Sequence, residues 1–148
     1  MSIYFAPYKD MLFVMRELAG LDKVSALPGY EEATPDMVEV ILDEAGKFAT
    51  EVLAPINHSG DEEGARWADK AVTMPKGFKE AYQQFVEGGW NGVAGNPEHG
   101  GQGLPKLVAA AVQETWKSSN ISFYLCPLLT LGAIEALELC GSPKQKEM

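Results

Sequence analysis

Two histidines, two cysteines, an acidic run and a glycine-rich loop are the parts of this 148-residue chain that chemistry could use. The loop "GNPEHGGQGL", Gly95 to Leu104, is the one that invites a phosphate. A phosphate loop needs free backbone N–H groups, a lysine for the outer phosphates and a Ser or Thr for the metal. This stretch has neither lysine nor hydroxyl, follows no predicted strand, and puts Glu98 where it would repel an anion. It reads instead as a tight connection in which glycine supplies positive φ and close backbone approach.

His58 and His99 have no partner at metal-ligand spacing, and Cys126 and Cys140 form no C-x-x-C pair. Asp61, Glu62 and Glu63 are contiguous, as in a solvated patch, rather than alternating as calcium ligands do. Both cysteines lie in apolar sequence, which predicts buried free thiols and a reducing cytoplasm. No nucleophile stands beside a base and an orienting group. The residues alone name no catalytic centre.

Hydrophobic residues at 46% and charged ones at 22% describe one soluble domain with a modest core. A net charge of -9 with no basic stripe argues against nucleic acid or an anionic membrane surface. The opening "MSIYFAPYKDML" has no basic n-region and no cleavage pattern. The longest apolar run, Ile121 to Ile134, is about 14 residues, short of the roughly 20 that a membrane span requires.

Five helices follow from period and punctuation. The first covers Tyr8 to Ala19 after Pro7, with Met11, Leu12, Met15 and Leu18 on one face. Thr34 and Pro35 open the second, Asp43 faces Lys47 at i,i+4, and Pro55 ends it. Its apolar stripe is Met37, Ile41, Ala45, Phe48 and Val52. Ile56 to Met74 reads as a long surface loop with a short extended pair around Arg66 and Val72. A third helix runs from Pro75 to Glu87 on a face of Phe78, Tyr82, Phe85 and Val86. A fourth spans Leu104 to Ser118, aligning Leu107, Val108, Ala111 and Thr115. The fifth, Ile121 to Leu139, is apolar almost all round and is expected to be central and covered. Pro127 either kinks this helix from inside or sits in the first turn of a helix beginning at Cys126. Finally Ser142, Pro143 and Gln145 begin another helix, which Met148 interrupts. The expected fold class is all-α, about five to six helices in an orthogonal, bundle-like arrangement.

From Phe78 onward, the order of features resembles the N-terminal helical domain of the acyl-CoA dehydrogenases. The matching pieces are Gly89-Trp90, the loop Pro97-Glu98-His99-Gly100-Gly101-Gln102-Gly103-Leu104, Glu114, Leu131-Gly132, and Gly141-Ser142-Pro143-Lys144-Gln145-Lys146. His99 stands where the family usually has tyrosine or phenylalanine. The first half, "LPGYEEATPDMVEVILDEAGKFATEVLAPIN" and then "GDEEG", resembles the branch with an extended N-terminus that acts on 3-methylthiopropanoyl-CoA and related thioesters.

The resemblance implies an extension at 1–33 with one helix, and a helical domain at 34–148 cut from a longer enzyme. It implies α,β-dehydrogenation of an acyl-CoA, with FAD held mostly by a β-domain and the glutamate base in a second helical domain. An electron-transfer flavoprotein or similar acceptor, a homo-oligomer and a cytoplasmic location belong to the same expectation. The fragment alone is expected to be inactive and flavin-free, and to self-associate. Within it, the tail-contacting residues implied by alignment on Leu131-Gly132 are Pro127, Leu128 and Leu131; as residues they read equally as core. Two rivals remain at this stage: a stand-alone helical interaction module, and the same domain of a flavin-dependent acyl-CoA oxidase.

Overall fold

The computed structural model describes residues 4–147. Residues 1–3 and Met148, on which the readings of the opening stretch and of the interrupted last helix partly fall, lie outside the described residues. The N-terminal segment is tied down, because the Tyr4 hydroxyl donates to the Thr115 carbonyl at 3.0 Å. Helix α1 (Tyr8–Glu17) buries Met11, Leu12 and Met15, but Leu18 falls just past its end and is exposed. A short helix not expected from the sequence, α2 (Leu21–Ser25), turns the chain back and buries Leu21. Residues 4–33 therefore carry two helices, and their side chains belong to the same core as the rest.

Thr34 opens α3 (Pro35–Phe48) as expected, its Oγ1 accepting from the Met37 N–H at 3.3 Å. Lys47 bridges Asp43 at 2.8 Å on the exposed side. The deepest column is Val38, Leu42, Ala45, Ala49 and Leu53, one position round from the expected stripe except at Ala45. Ile41, Phe48 and Val52 pack against it as a second column, while Met37 is half exposed. Two neighbours press on this helix, α1 and α6 (Lys106–Ser119), so it buries a wide face rather than one stripe.

Pro55 does not end the helix. A π-helical segment, Ala49–Leu53, carries the backbone straight into α4 (Ala54–Glu63), with Pro55 in its first turn. A proline ring clashes with the carbonyl four residues back, and a widened turn relieves that clash. The first part of the expected surface loop, Ile56 to Glu63, is thus helix. The extended pair is real: β1 (Arg66–Ala68) and β2 (Ala71–Thr73) pair antiparallel, joined by Asp69 and Lys70 at positive φ. Two consecutive left-handed residues make the hairpin turn whose twist suits the strands.

Helix α5 (Phe78–Glu87) buries Phe78, Ala81 and Phe85; Tyr82 and Val86 lie at its exposed edge. α6 buries Val108, Ala111, Val112, Thr115 and Trp116. Asn120 opens α7 (Ile121–Cys140), its Oδ1 accepting from the Phe123 N–H at 3.0 Å. Pro127 is therefore inside the helix, not at its start. Contrary to expectation, α7 is not covered on most sides; among its residues Phe123, Tyr124 and Pro127 are buried, and Leu125, Leu129 and Leu139 face outward. The two cysteines follow suit. Cys126 and Cys140 are exposed free thiols, on sides of α7 that are left uncovered by the described residues. The last turn, α8 (Pro143–Lys146), forms as read: Gln145 Oε1 accepts from the Ser142 N–H at 2.9 Å.

Candidate functional site

A groove of about 670 Å³ opens between α6, α7 and the glycine-rich connection. One wall is a face of α7 bearing Tyr124, Leu128, Leu131, Gly132 and Glu135, which recur at helical spacing. The opposite wall is α6, through Ala109, Val112, Gln113 and Trp116, and Phe85, Trp90 and Val93 complete it. Phe85, Val112, Trp116 and Tyr124 are fully buried. Their rings lock together: Trp116 lies edge-on to Phe85 at 4.9 Å and to Trp90 at 5.2 Å between centroids. Edge-to-face pairs of this kind add about 1 kcal/mol each beyond the area they bury, so this lining is rigid.

Asn120 fixes the start of the α7 wall. Besides capping the helix, its Nδ2 donates to the Leu53 carbonyl at 3.1 Å, pinning α7 to the π segment. At the other end, Asn96 Nδ2 donates to Glu138 Oε1 at 2.9 Å and Lys146 Nζ to the Glu138 carbonyl at 2.6 Å. Lys106 and Glu135 pair across the mouth of the groove. The pairing holds the Glu135 carboxyl below the usual carboxylate range and Lys106 above its ordinary value. The hydrogen bond from Asn96, helped by Lys146, holds Glu138 low as well. Burial pushes the Tyr124 phenol up to about 12, so it is a neutral donor at any working pH.

The glycine-rich connection offers nothing to a phosphate. Its N–H groups from Glu98 through Leu104 are all spent internally, including Gly103 to the Gly95 carbonyl at 2.9 Å and Leu104 to the Val93 carbonyl at 2.9 Å. A Cβ on Gly101 would stand 2.1 Å from the Gly95 carbonyl carbon, so close approach is what the glycines serve. His58 faces Glu62 at 3.4 Å, and no group of three metal-ligating side chains occurs among the described residues.

Of the three positions expected to contact a tail, the structure brings Leu128 and Leu131 together on the groove wall. Pro127 does not join them; it is buried on a neighbouring side of α7. Sequence reasoning missed the aromatic part of the site. Val108, Val112 and Trp116 recur every four residues and were a signal for Trp116. Nothing in the sequence brings Trp90 or Phe85 to it. The arrangement can bind and orient an apolar chain and keep water from it.

The comparisons with known proteins bear on the same residues. The sequence profile described as acyl-CoA dehydrogenase, N-terminal domain, matches residues 35–148. The chain belongs to the acyl-CoA dehydrogenase family. This acyl-CoA dehydrogenase N-terminal domain is 46% identical over 143 residues to the 3-methylmercaptopropionyl-CoA dehydrogenase of Ruegeria pomeroyi, covering 97% of this chain and 24% of that protein. It is 26% identical over 127 residues to the broad-specificity linear acyl-CoA dehydrogenase FadE5 of Mycobacterium tuberculosis, covering 84% and 21%. A butyryl-CoA dehydrogenase of Syntrophomonas wolfei is 25% identical over 148 residues, covering 97% and 24%. The chain thus spans about a quarter of the length of these relatives.

Proposed function

We propose that this domain forms the acyl-tail wall of an FAD-dependent enzyme that dehydrogenates an acyl-CoA thioester between its α and β carbons. The observation that carries the reading is the apolar groove on the exposed-side helix of a domain from this family. Leu128 and Leu131 contact the tail, and each methylene they cover is worth about 0.8 kcal/mol. Pro127 acts on the tail only through the axis of α7. Residues 34–148 are the tail domain, with 1–33 as an extension packed against it.

The residues present do not fit a flavin by themselves. Of the groove's ionic side chains, Lys106 is taken by Glu135, and Glu138 adds negative charge, which a diphosphate would meet unfavourably. The cofactor and the base that removes the α-proton therefore belong to parts of the enzyme outside these residues. The domain's own share is to seat and dry the tail. The relatives' names support a dehydrogenase over an oxidase. An electron-transfer flavoprotein as acceptor, a homo-oligomeric assembly and a cytoplasmic site of action complete the proposal. The name of the Ruegeria relative points to a short tail carrying sulfur.

α7 is long and apolar enough, by length and composition, to cross a membrane. Glu135 and Glu138 are ion-paired or hydrogen-bonded on one side of it, so protein rather than lipid is the proposed cover of its open side. The assay is acyl-CoA-dependent reduction of an artificial electron acceptor by the flavoenzyme that contains this domain. Leu131→Phe should lower kcat/KM about tenfold for tails of six or more carbons and leave four-carbon tails within about twofold, as fits the loss of roughly two buried methylenes. Failure of every acyl-CoA to reduce the acceptor would end the reading.

A further inference from the structure

The far half of α7 is held differently from its start. Phe123, Tyr124 and Pro127 are its buried residues, and beyond them Leu131 is the last apolar side chain packed against the core. What ties the end of the helix to the domain is polar: Lys106 pairs with Glu135, and Asn96 Nδ2 donates to Glu138 Oε1 at 2.9 Å. Two residues between the packed start and the tied end weaken the rod. Pro127 cannot donate to the Phe123 carbonyl and its ring crowds that oxygen, which is where helices bend. Gly132 is the poorest helix former after proline, and a Cβ there would meet nothing within 4 Å, so packing does not demand a glycine. Glu138 lies eleven residues past Pro127. That is about 16 Å along the axis, so a bend of about 10° moves it by about 3 Å. A shift of this size breaks its hydrogen bond.

The Asn96–Glu138 bond also stands at a boundary. On one side is the groove of about 670 Å³, and on the other a second cavity of about 270 Å³. Asn96, Ile134 and Glu138 line both, whereas Gly92, His99 and Leu137 line the second alone. We propose that this bond is a gate in a hinged wall. While it is made, the two cavities are separate and the groove is short. When it breaks, the end of α7 swings about Pro127 and Gly132, and the cavities join. Asn96 and Glu138 are thus positioning residues that choose between two groove lengths. An apolar tail that outruns the first cavity opens the gate, because the methylenes it seats in the second offset one part-buried hydrogen bond. The part of this proposal that concerns substrate rests on the dehydrogenase reading; the hinge and the gate do not.

Amide hydrogen exchange in the 148-residue chain tests the gate, with all variants at one concentration. Asn96→Asp keeps the oxygen that accepts from the Glu98 N–H and turns the donor into a carboxylate facing Glu138. Exchange across residues 133–140 should rise about fivefold, the loss of one hydrogen bond, while residues 108–116 stay as they were. Adding Glu138→Gln restores a donor and an acceptor in reversed order and should return exchange to the parent's rate. Gly132→Ala, which meets no clash, should slow the same segment about fivefold. In the flavoenzyme that contains the domain, the kcat/KM ratio of dodecanoyl-CoA to butanoyl-CoA should rise about fivefold in Asn96→Asp, revert in the double variant and fall in Gly132→Ala. Unchanged exchange in Asn96→Asp, an equal rise across α6 and α7, or a double variant no slower than the single one would overturn the gate. So would a tail ratio that ignores all three changes. Absence of turnover with every acyl-CoA, alongside the expected exchange pattern, would remove the dehydrogenase reading and leave the gate standing.

Discussion

Gly101 and Tyr124 show how single residues set the groove. At Gly101 the obstacle to a side chain is backbone, which cannot swing aside, whereas at Gly100 a Cβ would meet nothing within 4 Å and only its φ of +83° resists substitution. Gly101→Ala should therefore lower thermal stability clearly more than Gly100→Ala, whose cost is that of a left-handed alanine, about 1 kcal/mol. Equal melting temperatures for the two variants would refute the close-packing account. Tyr124 has a folded pKa of about 12 against an ordinary 10.0. Between those values the unfolded chain releases the proton and the folded chain keeps it. Its contribution is thus intact below pH 10 and is lost as pH rises to 12. Denaturant unfolding across this window should show a shallower loss in Tyr124→Phe than in the parent protein; parallel curves would show that the phenol does not titrate on unfolding.

At the scale of elements, the start of α7 depends on one side chain. Asn120 is 1% exposed, caps the helix through Oδ1 and binds the Leu53 carbonyl through Nδ2. Asn120→Ala removes the cap and strands a buried carbonyl, a loss of about 2–4 kcal/mol. Asn120→Asp keeps the cap oxygen and should fall between the two in chemical denaturation, unless the pin to Leu53 adds nothing. The same scale explains which helices were legible. α3 and α8 open with local signals, Thr34-Pro35 and Ser142-Pro143-Gln145, and both form as read. Pro55 misled because a proline stops an α-turn but not a π-turn, and the widened turn is stabilised by packing of Ala49 and Leu53 in the core. α2 has too few residues to show a period.

For the whole molecule, the open side of α7 decides behaviour in solution. Leu129 and Leu139 are 76% and 77% exposed, and Ile121 and Leu125 add to the same uncovered helix. Apolar area of this kind is covered in working proteins. The isolated chain should therefore self-associate in sedimentation at micromolar concentration, and the double variant Leu125→Glu, Leu129→Glu should shift it to monomer. A parent chain that stays monomeric and binds no apolar dye would show that this face needs no cover.

What the sequence determined by itself was local or compositional: the all-α class, the capped openings at Thr34 and Ser142, the extended pair around Arg66 and Val72, and the family, whose motif order survives in linear form. It also singled out Leu128 and Leu131, which the structure sets on the groove wall, together with Pro127, which it does not. Which side of a helix meets which neighbour was decided only by the tertiary structure. The α3 column moved one position because α1 and α6 both press on it, and Cys126 and Cys140 came out exposed because α7 has one partnered face here. The aromatic end of the groove could not be read either. Phe85, Trp90, Trp116 and Tyr124 come from three helices and a turn, and no sequence period links residues that only packing brings within 6 Å.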